Sequence, residues 1–246
     1  MESPESSARE LTGRVVLVTG AARRIGRGIA LRLAREGARV LIHYGTSAAD
    51  AHRTAEECGG AGLFQADLER VSEIERMFSA IREREGRLDG LVNNAARFTR
   101  FHPFDISEAD WDFIHSVNLK ATFFCSKEGA KLMMEGGGGR IVNISSLGAI
   151  RPWAMHAHYC ASKAGVVHLT RSLAKAFAPS ITVNTVAPGV IPFGDLDDES
   201  QAMVRATPAG RAGTAEEIAG AVVYFLRASN FITGQLLAVD GGLSQR

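Results

Sequence analysis

What this chain is short of narrows its chemistry before any motif is read. Cysteine is scarce: Cys58, Cys125 and Cys160 are odd in number, far apart and in no metal-type pattern. That excludes a disulfide framework and a thiolate metal centre, and it fits idle thiols in a reducing compartment. Net charge is almost absent, with 28 Lys+Arg against 27 Asp+Glu and a formal +1. No global field therefore draws nucleic acid or an anionic membrane, and a charged ligand has to be met by local groups. No apolar run approaches a membrane span. The opening MESPESSARELTG is polar and lacks the apolar core of a secretory signal. It reads as a short mobile tail, residues 1–12, ahead of one domain over 13–246. A cytoplasmic protein without metal, nucleic-acid or membrane partners is the expectation.

What the chain does have is alternation. Seven β-rich runs, at 14–19, 38–44, 62–66, 88–94, 139–145, 181–187 and 235–240, read as strands. Several are continuous apolar runs, the pattern of a parallel sheet covered on both faces. Helical patterns lie between them: one ending at Gly37, one at Gly86, a long one over about 107–135 closed by four glycines, and another over about 157–178. Such alternation without a long linker predicts an α/β fold, one doubly wound domain with a seven-stranded parallel sheet and helices on both faces. GGGG at 136–139 reads as a surface loop. The Pro- and acid-rich span 188–213 reads as a mobile flap near the carboxyl ends of the strands, where ligands bind in such sheets.

The stretch TGAARRIG, between the first strand and the first helix, is built for phosphate. Backbone N–H groups and the helix's positive end converge there, and Gly20 and Gly26 permit the tight turn. In sheets of this kind an acid at the end of the second strand binds the adenosine 2′-hydroxyl and repels a 2′-phosphate. Here that strand ends LIHYGTSAAD, with Tyr44, Thr46 and Ser47 and no acid before Asp50. Arg23 and Arg24, across the turn, match phosphate with paired hydrogen bonds. The expectation is NADPH rather than NADH.

YCASK places Tyr159 and Lys163 one helical turn apart. A free tyrosine has a pKa of about 10, and a nearby ammonium favours the phenolate, which makes the pair a proton donor for a carbonyl or imine receiving a hydride. Ser146, just past the fifth strand, can hold the substrate oxygen beside the phenol. Asn118, in SVNLK, is a polar residue inside a helical stretch and can hold a water that links Lys163 to solvent.

These motifs, with NNAA after the fourth strand, VN at 117–118, APGVI after the sixth strand and VDGG near the end, resemble the short-chain dehydrogenase/reductase family across residues 13 to 242. The resemblance implies a single Rossmann-type domain, hydride transfer with a nicotinamide cofactor, and Asn118, Ser146, Tyr159 and Lys163 as the catalytic group. It implies that Ile25 belongs to the phosphate turn, that Asp67 and Leu68 flank the adenine, and that Asn94, Ala95 and Ala96 back the ribose. Pro188, Gly189 and Ile191 would flank the carboxamide, Lys163 would hold the nicotinamide ribose, and a homotetramer would form. Three departures matter. Arg24 stands where the family has glycine, Ala96 replaces the glycine of NNAG, and Phe193 replaces a usual threonine. Arg24, the 43–51 segment, Phe98 and the DGGLSQR terminus look like the pteridine reductase branch, in which Arg24 and an aromatic at Phe98 meet a small-molecule pterin ring. Substrate contacts would then be Arg24, Phe98, Ser146, Tyr159 and Phe193. Ser146, where that branch carries aspartate, points to 3-oxoacyl-thioester or general ketone reduction. A non-catalytic NADPH-binding sensor is the remaining alternative.

Overall fold

The computed structural model describes residues 11–245. Its seven strands are β1 (Val15–Val18), β2 (Arg39–Tyr44), β3 (Gly62–Gln65), β4 (Gly90–Asn93), β5 (Gly139–Ile144), β6 (Ile181–Pro188) and β7 (Leu236–Val239). They form one sheet in the order β3-β2-β1-β4-β5-β6-β7, with every neighbouring pair parallel. β1 and β6 are buried at every residue, as strands covered on both faces must be. The chain winds outward from β1 in one direction and from β4 in the other, so a crevice opens beyond their carboxyl ends.

The helices are α1 (Arg24–Arg35), α2 (Ala48–Glu57), α3 (Val71–Glu85), α4 (Glu108–His115), α5 (Thr122–Glu135), α6 (Ala157–Phe177), α7 (Asp198–Ala206) and α8 (Ala215–Arg227). Ile29 and Leu33 of α1 meet Ile218, Val222 and Phe225 of α8 over one sheet face. Ile74, Phe78 and Ile81 of α3 pack with Cys125 and Met133 of α5 and Leu173 of α6 over the other.

Four findings refine the sequence reading. The helix expected over 107–135 is two helices joined by a π turn, Ser116–Ala121. The 188–213 segment carries α7, whose first turn is capped by the Asp197 carboxylate accepting from Ser200 N at 2.8 Å. α2 and α8 complete the alternation, the latter opened by a reciprocal Thr214–Glu217 capping box. Residues 1–10 of the expected tail lie outside the described residues, and Leu11 is buried in the core, so packing begins before Gly13. Among the described residues, no helix is long and apolar enough to cross a membrane.

Candidate active site

The turn between β1 and α1 tolerates no side chain at its two glycines. Gly20 has φ +63°, and a Cβ there would lie 2.9 Å from Ala95 Cα. A Cβ on Gly26 would lie 2.3 Å from the Gly20 carbonyl oxygen and 2.5 Å from Asn94 Nδ2. The backbone is thus left bare where a pyrophosphate would approach the start of α1. Thr19 Oγ1 accepts from Asn94 N at 2.9 Å and from Ala95 N at 3.0 Å, and Asn94 Nδ2 donates back to Thr19 O at 2.9 Å. The first job of Asn94 is therefore to fasten β4 to the turn.

A residue the sequence reading passed over completes this clamp. Gly20 N donates to His43 Nδ1 at 3.0 Å, and His43 Nε2 lies 3.1 Å from Ala66 O. The bonds fix the tautomer: Nε2 carries the proton and Nδ1 accepts. Burial pushes His43 down to about 4, so the ring stays neutral and can accept from the turn. A histidine inside the apolar run VLIHY was the available signal.

Arg24 has φ +55°, a left-handed conformation that strains any residue with a Cβ. This is why glycine suits the position, and the strain holds a guanidinium at the cleft, 6.0 Å from the Phe193 ring centre. Arg23 is exposed and lies 3.6 Å from the Asp50 carboxylate of α2. Ile25 packs against the core. Gly20, Arg23, Arg24, Ile25, Gly26, Tyr44, Thr46, Ser47, Asp67, Leu68, Asn94, Ala95 and Ala96 all line one open cleft of about 1260 Å³, together with Phe98, Tyr159 and Phe193. At the adenosine end Ser47 precedes α2 without capping it, and no acid follows β2 before Asp50. Asp67 is half-buried, accepts from Glu69 N at 3.1 Å and lies 3.5 Å from Arg70. These residues fit a dinucleotide: bare backbone for the pyrophosphate, hydrogen-bonding side chains and cations at the adenosine end.

Ser146, Tyr159 and Lys163 lie where β5 ends against α6, and Asn118 reaches that helix through Ser162. Ser145 Oγ donates to Lys163 O at 2.8 Å and Lys163 Nζ donates to Ile144 O at 2.9 Å, so strand and helix are stapled twice. Ser146 accepts from Gly148 N at 3.1 Å, and its hydroxyl also bonds the Tyr159 phenol. Burial raises that phenol to about 12, opposed by the Ser146 bond. The expected lowering of the phenol is a correction: burial raises it, while Lys163 Nζ sits 6.0 Å from the Tyr159 ring centre and donates to Ile144 O. Burial lowers Lys163 itself to about 8.

Asn118 departs further from expectation. Its Oδ1 accepts from Arg97 N at 2.7 Å, and its Nδ2 donates to Arg97 O at 3.0 Å and Ser162 Oγ at 3.1 Å. Its carbonyl accepts from Thr122 Oγ1 at 2.8 Å. The side chain fastens the loop after β4 to the π turn and α6, and both amide hydrogens are spent doing so.

Pro188 closes β6, and Gly189 and Ile191 follow it; like Ser146 and Lys163, they stand outside the residues lining the cleft. Gly189 answers a packing demand, since a Cβ would lie 2.7 Å from Asp240 Cα. Ile191 is half-buried against the core. The outer wall is aromatic. Phe98, 58% exposed, stands edge-on to Tyr159 with ring centres 4.7 Å apart, and Trp153 lies parallel to Tyr159 at 6.1 Å. Trp153 and His156 are additions that the sequence reading did not make.

Comparison with known proteins agrees with this architecture. A family model described as enoyl-(acyl carrier protein) reductase matches residues 20–244. The 3-oxoacyl-[acyl-carrier-protein] reductase of Synechocystis sp. is 35% identical over 241 residues, covering 95% of this chain and 98% of its own. The NADPH-dependent aldehyde reductase-like protein, chloroplastic, of Arabidopsis thaliana is 36% identical over 255 residues, 94% of each chain. A solved structure, a double mutant of a Serratia marcescens short-chain dehydrogenase/reductase, superposes with a TM-score of 0.90 at 35% identity, covering 96% of this chain and all of that one. With the parallel sheet, the bare glycine turn and the Ser146–Tyr159 contact already in place, these likenesses make the chain an oxidoreductase that belongs to the short-chain dehydrogenase/reductase family and uses a nicotinamide cofactor.

Proposed function

We propose that the chain is an NADPH-dependent reductase of carbonyl compounds, 3-oxoacyl thioesters or related ketones, with Tyr159 as proton donor. The observation that carries this reading is the Tyr159 phenol, paired with the Ser146 hydroxyl and lining the cleft that continues to the glycine turn. The relatives named 3-oxoacyl-[acyl-carrier-protein] reductase and NADPH-dependent aldehyde reductase-like protein support it. When bound, the cofactor supplies the hydride. The protein's own groups do the rest. Tyr159 gives its proton to the developing alkoxide, Ser146 holds the same oxygen, and Lys163 places a positive charge beside the phenolate left behind. Arg24, Arg23, Thr46 and Ser47 hold the ribose phosphate in this reading.

A second reading, reduction of a C=N bond in a flat pterin-like ring, is favoured by one feature: the exposed face of Phe98 beside Tyr159. A homotetramer is also proposed, supported by Trp111, Phe113 and Phe123, which α4 and α5 leave exposed.

The test is NADPH oxidation with an acetoacetyl thioester, simple diketones and a dihydropterin offered in parallel. Tyr159→Phe should reduce turnover by at least about a thousandfold while NADPH binding stays within a few-fold. Undiminished turnover in that variant removes the assignment.

A further inference from the structure

The residues from Asn94 to His102 follow β4 without any helix or strand of their own, yet Phe98 within them stands at a fixed place in the cleft. What fixes it is the short 3-10 turn Ala154–His156 together with the start of helix α6, the element that carries Tyr159. Thr99 O lies 2.9 Å from His156 Nδ1, so that nitrogen carries the proton and donates. Thr99 Oγ1 lies 2.6 Å from His158 Nε2. Phe101 N donates to Met155 O at 3.0 Å. The Phe98 ring then stacks on His156, centres 4.6 Å apart at an interplanar angle of 20°, which leaves its other face to the cleft.

The His158 ring is fully buried and its Nδ1 has no partner. An unsatisfied buried nitrogen costs stability that an aliphatic side chain at the same place would not incur. The one bond His158 does make, to Thr99, is what the ring offers in return.

We propose that His156 and His158 are positioning residues: by gripping Thr99 from both its carbonyl and its hydroxyl, they set the substrate-facing ring of Phe98 against Tyr159 and thereby give flat, conjugated carbonyl substrates a stacking contact that aliphatic 3-oxoacyl thioesters do not use. The phenol and the stacking wall move as one body, because both are referred to the turn Ala154–His156 and the first turn of α6 that continues it. A flat substrate that stacks on Phe98 senses any slackening of the grip, whereas a short aliphatic chain, with little to stack, does not. The specificity half rests on the reductase reading; the positioning half does not.

The experiment uses Thr99→Val, which removes the hydroxyl at nearly constant shape, with Thr99→Ser as the conservative rescue and His156→Ala as the second arm. Kinetics are measured with NADPH and two probes, phenanthrenequinone as the flat diketone and an acetoacetyl thioester as the aliphatic one. Thr99→Val and His156→Ala should raise KM for the quinone about tenfold with kcat within about threefold, leave the thioester constants within about twofold, and Thr99→Ser should behave as the parent. Equal effects on both probes, or a Thr99→Ser as impaired as Thr99→Val, overturn the specificity half. The positioning half is read without substrate. The chain has two tryptophans, so a Trp111→Phe background leaves Trp153, which faces Phe98 edge-on with ring centres 6.5 Å apart, as the sole reporter. Thr99→Val should raise acrylamide quenching of Trp153 about twofold as the wall loosens. Unchanged quenching overturns the positioning half, whether or not any probe turns over.

Discussion

Lys163 and His43 sit in places that disfavour their charged forms, and the site uses the two effects in opposite ways. Lys163 is 3% exposed with one carbonyl partner, and burial brings it down to about 8. At neutral pH it is still mostly charged, so the fold bears the cost of an imperfectly compensated buried ammonium for the sake of chemistry. Lys163→Met should therefore raise stability by about 1–3 kcal/mol in urea unfolding at pH 7, while turnover is lost. If the ammonium supports the phenolate, kcat/KM in the reducing direction should fall as pH rises through about 8, where Lys163 loses its proton. A profile flat to pH 9.5 would detach Lys163 from the proton step. His43 works the other way, since it must be neutral to accept from Gly20. Its ordinary value near 6.5 falls to about 4 in the fold, so between those values the unfolded chain binds more protons. Stability must then decline as pH drops from 6.5 toward 4, by about 3 kcal/mol for this residue. In His43→Asn that share of the pH dependence disappears, and comparing urea midpoints of parent and variant at pH 7 and pH 4.5 measures it.

At the scale of elements, the π turn Ser116–Ala121 shows where sequence patterning stops. Apolar residues keep helical spacing from Trp111 to Leu132, so periodicity alone reads one continuous helix. The extra residue that a π turn takes up is invisible to it. What does mark the place is Asn118, a polar residue among apolar ones, which the fold turns inward to hold Arg97 by both its N–H and its carbonyl. Asn118→Ala leaves those backbone groups and Ser162 short of partners. It should destabilise the protein by about 2–4 kcal/mol and loosen the segment that carries Phe98, as amide exchange at residues 97–101 would report. Exchange confined to α4 and α5 would mean that the side chain supports the helix and not the loop. The β-strands and the glycine turn were legible because parallel strands must be apolar throughout and a turn without room for a Cβ must be glycine. α8 went unread, although Thr214 and Glu217 spell a capping box ahead of an apolar run. His43 and the His156–Thr99–His158 contact were not legible, because their meaning lies in backbone atoms brought near from distant parts of the chain. Arg24 lies between these cases: the arginine was plain in the sequence, while the left-handed backbone beneath it was not.

On the scale of the whole molecule, the sheet's change of direction between β1 and β4 places every cofactor candidate on the carboxyl edge. The glycine turn, the β2 end and the loop after β4 all converge there. A dinucleotide lying across that edge bridges segments that pack in both core layers, and no such surface survives in the unfolded chain. Binding is therefore coupled to global stability. A ligand at about a hundred times its Kd adds about 2.7 kcal/mol. For a chain of this length that raises Tm by about 5–10 °C. The overall charge of +1 supplies no background attraction for a dinucleotide, so any preference for a ribose phosphate has to come from Arg23, Arg24, Thr46 and Ser47. NADPH should accordingly give the full shift, and NADH at the same concentration no more than about a third of it. Replacing Arg24 with glycine relieves the left-handed strain and removes one cation, so Arg24→Gly should raise the Tm of the free protein while narrowing the gap between the two cofactors. Equal shifts from NADPH and NADH in the parent chain would mean that the cluster beyond β2 holds no phosphate, and the cofactor reading would have to change.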